Sequence, residues 1–181
     1  MKHIAVYCGS RKGKSLAYEE GGARELGKEL AKRNITLIYG GSSTGLMGSV
    51  ADAVLDTGGK VIGVIPNFFV EQEVAHQNLT ELITVESMHE RKAKMAELAD
   101  GFIALPGGPG TLEELFEIFT WAQIGIHQKP IGMLNIQQYY QPLAKWLDHM
   151  VSEGFMKEEF RSLAMLEDEP AFLIDRFIKH V

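Results

Sequence analysis

The chain has 181 residues, a length that suits one domain with a full hydrophobic core. Its net charge of −6, without a block of lysine or arginine, argues against broad nucleic-acid binding. A single cysteine, Cys8, excludes an internal disulfide and favours a reduced, cytoplasmic setting. No apolar run reaches the length of a signal peptide or a membrane span, and the six histidines lack metal-site spacing. We therefore expect neither a membrane partner nor a bound metal.

Short apolar runs alternate with helical patterns along the chain. The predicted strands are HIAVYC (3–8), ITLIYG (35–40), KVIGVI (60–65), ELITVE (81–86), GFIALP (101–106) and PIGMLN (130–135), and the predicted helices lie near 15–33, 45–57, 87–99, 110–125, 137–153 and 168–180. Most of the strands are apolar throughout, as in parallel strands that are covered on both faces. The alternation predicts an α/β fold: a three-layer, doubly wound, Rossmann-like parallel sheet in a single domain spanning 1–181.

Three of the strand-to-helix turns are rich in glycine: CGSRKG after the first strand, GGSSTGLMG after the second and PGGPGT after the fifth. Such turns leave a parallel sheet at the carboxyl ends of its strands, where ligands bind. Glycine lets the backbone approach a ligand closely, and the N-terminus of the following helix attracts phosphate. The turns predict a site for a nucleotide or a sugar phosphate, with Ser10 and Gly41 among its binding residues. The alternative is that they only pack helices tightly on the sheet, above all at Gly45 and Gly48.

Motifs of other nucleotide-binding and hydrolytic families are absent from the sequence. The second turn is not GxGxxG, and no acidic residue ends the next strand to hold the ribose of a dinucleotide. It is not a Walker A loop, because Leu46 and Met47 stand where lysine and serine or threonine are required. The lack of a GxSxG elbow argues against an α/β-hydrolase triad. Cys8 ends a strand, where we expect a small buried hydrophobe.

The helix ESMHERKAKMAEL carries two cations on its apolar side. Ser87 and Glu90 form a capping box that predicts where this helix begins. At about 100° per residue, Arg91 falls beside Met95 within the apolar face, and Lys92 falls at its border. A cation that faces the core needs a partner. The partner is either a carboxylate of a neighbouring loop or an anionic ligand, which the guanidinium fork of Arg91 suits.

The helix within GPGTLEELFEIFTWAQI carries a carboxylate in an apolar setting. Thr111 and Glu114 match a capping box with Thr111 as the N-cap, and capping alone would explain both residues. On a helical wheel, however, Glu114 leaves the polar stripe and lies between Ile118 and Trp121. A carboxylate in that position is suited to meet positive charge that develops on a ligand.

The apolar arc of the same helix covers more than half of its circumference, which is more than one face of a sheet requires. The surplus apolar residues include Phe116, Phe119, Trp121 and Ile124. We expect this surface to be buried in a two-fold homodimer through the helix.

Two of these segments resemble the motifs of a known family. PGGPGTLEE resembles the PGGxGTxxE signature of the LOG ("lonely guy") family of cytokinin-activating phosphoribohydrolases, and MHERKAKM resembles its second motif, an Arg-Lys pair that opens a helix. GGSSTGLMG and TWAQIGIHQKP resemble further family segments, so the resemblance covers about residues 3 to 155. It implies hydrolysis of the N-glycosidic bond of a nucleoside 5′-monophosphate, either AMP or N6-modified AMP, to free base and ribose 5-phosphate. It also implies a Rossmann-like fold, a homodimer and no cofactor.

Many proteins of this family carry the label "possible lysine decarboxylase", which the residues do not support. The chain is short for a pyridoxal-phosphate enzyme, and the pair Arg91 and Lys92 offers a phosphate clamp rather than the setting of a Schiff base.

The resemblance further implies roles for individual residues. Arg91 and Glu114 match the essential pair of the family. The positions that match nucleotide-binding residues are Lys92, Gly107, Gly108, Gly110, Thr111 and Glu113. Glu73 and Thr120 match substrate contacts of the family less closely. For Glu73 the reason is that the loop which carries it varies among family members. Pro109 fills the variable position of the signature, where it removes one N–H donor and pushes Gly108 toward extended geometry.

By analogy with glycosidases, we expect Glu114 to stabilise the oxocarbenium character that develops at C1′ and to orient a water molecule. Glu113 would hold ribose hydroxyls or share this task, and Arg91 would either anchor the nucleotide or assist departure of the base. One alternative is a non-catalytic nucleotide carrier or sensor, and another is a hydrolase that removes phosphate instead of base. The sequence leaves the physiological base and any assembly beyond a dimer open.

Overall fold

The structure is a computed structural model that describes residues 1–71 and 75–180. The strands are β1 (His3–Tyr7), β2 (Thr36–Tyr39), β3 (Val61–Pro66), β4 (Glu81–Val85), β5 (Gly101–Ala104), β6 (Ile131–Leu134) and β7 (Ala164–Glu167). The α-helices are α1 (Glu25–Lys32), α2 (Gly45–Asp56), α3 (Asn67–Glu71), α4 (Met88–Leu98), α5 (Pro109–Gln123), α6 (Gln141–Ser152), α7 (Glu158–Arg161) and α8 (Pro170–His180). A π-helical segment, Tyr18–Arg24, leads into α1, and a 3₁₀ turn, Ile136–Gln138, precedes α6.

Within the described residues, seven parallel strands form one sheet in the order β4-β3-β2-β1-β5-β6-β7. The six predicted strands are confirmed. Strand β7, which pairs with β6 so that Ile131 lies opposite Ala164, was not predicted from the sequence. The short helices α3 and α7 were not predicted either. The described ranges contain no helix that is long and apolar enough to cross a bilayer.

Helices cover both faces of the sheet, which confirms the three-layer prediction. Alternate side chains of β1 point to opposite faces, so Ile4 and Val6 join the core beneath α1, α2 and α8. Ala5 and Tyr7 join a second core beneath α4, α5 and α6. Burial on both faces explains why the central strands are apolar throughout rather than alternating.

The strand order places a crevice between β1 and β5. From β1 the chain moves outward to β2, β3 and β4, and then returns to place β5 on the other side of β1. The turns that leave adjacent strands in opposite directions open a gap at their carboxyl ends, which is where ligands bind in such sheets. The N–H of Gly9 donates to the carbonyl of Pro106 at 3.1 Å, so the turns after β1 and β5 touch. A Cβ on Gly45 would lie 2.2 Å from the carbonyl carbon of Ser10, so the turn after β2 packs against the turn after β1.

Candidate active site

A cavity of about 450 Å³ opens where the three glycine-rich turns meet. The turn after β1 contributes Gly9 and Ser10, and the turn after β5 contributes Gly108, Gly110 and Thr111. The turn after β2 contributes Gly40, Ser42 and Thr44. The structure therefore brings together backbone and hydroxyl groups from three separate segments at the predicted edge of the sheet.

The N-terminus of α5 faces this cavity. The helix begins at Pro109, and its N-cap is Gly108, which has the extended geometry (φ −88°, ψ −162°) predicted for a residue before proline. The assignment of Thr111 as N-cap was wrong, because proline at the first helical position starts the helix three residues earlier. The missing N–H of Pro109 belongs to the first turn, which has no intrahelical acceptors, so the loss is small. Gly110 and Thr111 keep their N–H groups at the lip of the cavity.

Gly107 does not line this cavity, but it lines a neighbouring cavity of about 440 Å³ together with Gly9 and Ser10. A Cβ at this position would lie 2.1 Å from Oγ1 of Thr111 and 2.9 Å from the backbone nitrogen of Gly9. The hydroxyl of Tyr139 donates to the carbonyl of Gly107. The absence of a side chain at Gly107 therefore lets the turns after β1 and β5 pack together.

Arg91 reaches the cavity from α4 and is only 9% exposed. Its Nη2 donates to Oε1 of Glu114 over a long 3.5 Å, and its Nη1 contacts Sδ of Met88 at 3.7 Å. Among the described residues, its Nε has no hydrogen-bond partner. A Cβ on Gly40 would lie 2.0 Å from Nη2, so the guanidinium can pack against the turn after β2 only because residue 40 has no side chain. A buried guanidinium with weakly used donors is suited to bind an anionic or polar ligand.

Glu114 lies opposite Arg91 on α5 and is 8% exposed. Burial raises the pKa of its carboxyl to about 7, although the positive charge of Arg91 acts in the opposite direction. The carboxylate and carboxylic acid are therefore both populated near neutral pH, as is typical of residues that exchange protons or stabilise charge at active sites.

Lys92 is buried beside the cavity and does not line it. Its Nζ donates to Glu113 and, at 3.1 Å, to Oε1 of Glu117. Burial lowers the pKa of this amine, but the hydrogen bonds that it donates to the two carboxylates outweigh burial and raise the pKa. Of these three residues, Glu113 lines the cavity, so Lys92 acts on the site by holding Glu113.

The four remaining predicted residues are Ser10, Gly41, Thr120 and Glu73. Ser10 lines the cavity, whereas Gly41 lies beneath it with a φ of +75°, and a Cβ there would lie 3.0 Å from Cβ of Ile65. Thr120 is exposed nine residues after Thr111, about 14 Å along α5 and away from the cavity of its own chain. Glu73 lies outside the described residues.

One whole wall of the cavity was not predicted from the sequence. It consists of apolar side chains from four elements: Met47, Ile65, Phe69 and Met88. No local pattern marks these residues, because they come together only through packing across the sheet. Ser42 and Thr44 were also missed, although their hydroxyls lie within the glycine-rich turn already singled out. The cavity thus has a polar, glycine-lined side and an apolar side, which fits a ligand with an anionic end and a flat apolar end.

Cys8 lies on the floor of the cavity, where burial raises the pKa of its thiol well above the ordinary value. A neutral thiol is a poor nucleophile, so Cys8 has the packing role that its strand-end position predicted. The described residues contain no group of three or more His, Cys, Asp or Glu side chains placed to hold a metal ion.

Comparison with known proteins connects this site to a family. Residues 47–177 match a family model described as "Possible lysine decarboxylase". Cytokinin riboside 5′-monophosphate phosphoribohydrolase LOG of Oryza sativa subsp. japonica is 54% identical over 162 residues, which cover 90% of this chain and 66% of that protein. The Arabidopsis thaliana enzyme of the same description, LOG1, is 46% identical over 180 residues, which cover 99% of this chain and 84% of that protein.

The chain belongs to the LOG family. Its two LOG-type motifs, which lie apart in the sequence, meet at the cavity, one through Arg91 and the other through Glu114. Among solved structures, the molybdenum cofactor carrier protein from Chlamydomonas reinhardtii aligns with a TM-score of 0.73 and 21% identity, covering 99% of this chain and 97% of that one. At this level of identity the likeness shows only that this chain and the carrier protein share a fold.

Proposed function

We propose that this chain is a phosphoribohydrolase of nucleoside 5′-monophosphates, organised as one LOG-type domain over residues 1–181. It adds water across the N-glycosidic bond of AMP or N6-modified AMP and releases the free base and ribose 5-phosphate. The activity for which the relatives are named supports this proposal, and the observation that carries it is the buried pair of Arg91 and Glu114 beside a glycine-rich helix N-terminus.

The 5′-phosphate is proposed to bind at the N-terminus of α5. The free N–H groups of the first helical turn and the positive end of the helix dipole favour a dianion there. Gly108, Gly110 and Thr111 line the cavity at this point, and Ser10 and Thr44 add hydroxyl groups from the neighbouring turns. This placement uses most of the polar side of the cavity.

With the phosphate so placed, the ribose is proposed to lie against Glu113 and Glu114. The ionised Glu114 would stabilise the positive charge that develops at C1′ as the bond to the base breaks, and would accept a proton from the attacking water. The hydroxide equivalent bonds to C1′, and the departing base takes up a proton. Glu113, which accepts a hydrogen bond from Lys92 and lines the cavity, would bind the ribose hydroxyls.

The base is proposed to lie against the apolar wall formed by Met47, Ile65, Phe69 and Met88. These side chains can contact the flat face of adenine, and burial of an added N6 substituent would gain about 25 cal/mol for each Å² removed from water. Arg91 is placed between this wall and Glu114, so it can donate to the leaving base or hold the nucleotide in register.

A homodimer through α5 is part of the proposal. Ile124 is 67% exposed and Ile126 is 62% exposed at the end of this helix, and Phe116 and Trp121 are half-buried. The expectation for Phe119 was wrong, because this ring is buried within its own chain against the core under α5 and α6. In a dimer the exposed Thr120 could approach the site of the partner subunit. A cytoplasmic location is proposed on the strength of the lone cysteine.

Product analysis tests the function. The protein is incubated with AMP, N6-modified AMP, GMP and CMP, and the mixtures are separated by chromatography. Equal amounts of free base and ribose 5-phosphate are expected from the adenine nucleotides. Nucleoside plus phosphate would instead indicate a phosphatase, and intact nucleotide that stays bound would indicate a carrier.

A further inference from the structure

His76, a buried histidine outside the cavity, connects the turn after β2 to helix α2. His76 is 8% exposed, and its Nε2 lies 2.9 Å from Oδ1 of Asp52. Its Nδ1 accepts the backbone N–H of Asn78 at 3.2 Å. Because Nδ1 acts as an acceptor, the ring proton is on Nε2, which donates to the carboxylate of Asp52. Every polar atom of this ring therefore has a partner.

The backbone of the same segment is joined to the turn after β2. The N–H of His76 donates to the carbonyl of Gly41 at 2.9 Å, and Ala75 forms an antiparallel bridge with Ser42. Residues 75 and 76 thus hold residues 41 and 42 through the backbone, and the imidazole of His76 connects this short segment to α2.

The turn after β2 makes a sharp bend beside the cavity. Gly41 adopts a φ of +75°, and its Cα is packed near Ile65, so the chain makes a sharp bend immediately before the cavity. Beyond the bend, the hydroxyls of Ser42 and Thr44 lie 2.9 Å apart, and both residues line the cavity. Before the bend, Gly40 forms the floor under the guanidinium of Arg91. A small rotation of this turn would therefore move two hydroxyl groups and the support of Arg91 together.

The contribution of the pair to overall stability is expected to be small. The side chain of Asp52 is 53% exposed on the surface of α2, and exposed ion pairs and hydrogen bonds contribute little to the free energy of unfolding. The effect of the pair should appear in the geometry of the turn rather than in the melting temperature.

We propose that His76 and Asp52 are positioning residues of the nucleotide site, which hold residues 40–44 in the conformation that binds the ligand. This inference rests on the proposed function in that the ligand is taken to be a nucleoside 5′-monophosphate.

The test compares Asp52→Ala with Asp56→Ala, which removes a carboxylate of the same charge from the exposed surface one turn further along α2. We expect Asp52→Ala to raise the KM for AMP by about three- to tenfold, the range for loss of one hydrogen bond, and to change kcat by less than about twofold. Asp56→Ala should match the wild type. His76→Leu should behave like Asp52→Ala, whereas His76→Gln should recover most of the affinity, because its amide N–H can still donate to Asp52.

Two further measurements separate the inference from the proposed function. The dissociation constant of AMP is measured by calorimetry, and amide hydrogen exchange is followed over residues 40–44 and at His76. Faster exchange there in Asp52→Ala, together with weaker AMP binding and an unchanged melting temperature, would support the inference. Equal KM and equal dissociation constants for Asp52→Ala and Asp56→Ala would overturn it.

The proposed function fails separately, in the wild type. If the wild type binds AMP and releases no base, the function is wrong, and the inference is decided by the dissociation constants alone. If the wild type does not bind AMP, both are overturned.

Discussion

The reaction should lose about tenfold in kcat/KM when the pH falls from 8 to 6. Burial raises the pKa of the Glu114 carboxyl to about 7, and the proposed chemistry requires the ionised form. With a pKa near 7, the ionised fraction is about 0.9 at pH 8 and about 0.1 at pH 6. A glutamate with the ordinary pKa of about 4.3 would remain more than about 95% ionised over the same range and would give an almost flat profile.

The assay is the initial rate of adenine release at low AMP concentration, from pH 5.5 to 8.5 at constant ionic strength. The second pKa of a phosphate monoester is about 6, so titration of the substrate contributes only a later and smaller decline. A limb of unit slope with its midpoint near pH 7 is expected. A flat profile between pH 6 and 8, or a rate that rises as the pH falls, would refute the assignment of Glu114 as the working carboxylate.

Three further predictions follow from the same contacts. Since folding raises the pKa of Glu114, the contribution of this carboxyl to stability is fully present below its unfolded pKa near 4.5 and is lost as the pH rises through 7. The stability of Glu114→Gln relative to the wild type should therefore grow by about 2–3 kcal/mol between pH 5 and pH 8. Urea unfolding at both pH values checks this, and a constant difference would contradict it. Gly40→Ala should reduce kcat/KM by more than about tenfold, because its Cβ would lie 2.0 Å from Nη2 of Arg91 and displace the guanidinium. Gly21→Ala is the control and should leave kcat/KM unchanged, because a Cβ there would have no atom within 4 Å. Steady-state kinetics of the two variants tests this difference. If the proposed homodimer forms through α5, Ile124→Asp should give a monomer where the wild type gives a dimer, because it places a charge on an exposed apolar surface. Light scattering measures both masses, and a dimeric variant would show that α5 is not the interface.

Most of the fold could be predicted because the sheet is covered on both faces. Parallel strands such as β1 and β5 are continuous apolar runs, which are visible in the sequence without any partner. The edge strand β7 has only four residues, AMLE, between polar segments, and its pairing with β6 is a tertiary effect that no local pattern indicates. The beginning of α5 was misplaced because Thr111 and Glu114 satisfy the capping-box spacing, although Pro109 is the stronger start signal.

The charged half of the candidate site could also be predicted, and the apolar half could not. Arg91 and Glu114 were identified because each breaks the apolar pattern of its own helix, a conflict that commonly marks function. Phe69 and Met88 follow no such rule, since an apolar residue near a helix end is ordinary in any sequence. The role inferred for His76 likewise depends on a contact with Asp52, 24 residues away, and only the structure provides it.

The most direct test of the account measures binding and turnover of AMP by Glu114→Gln beside the wild type. The wild type should release adenine and ribose 5-phosphate in equal amounts. The variant should keep its fold and bind AMP with a similar dissociation constant, and it should release adenine at least about a hundredfold more slowly. A variant that releases adenine at the wild-type rate would contradict the claim that the buried carboxylate of α5 acts on the glycosidic bond.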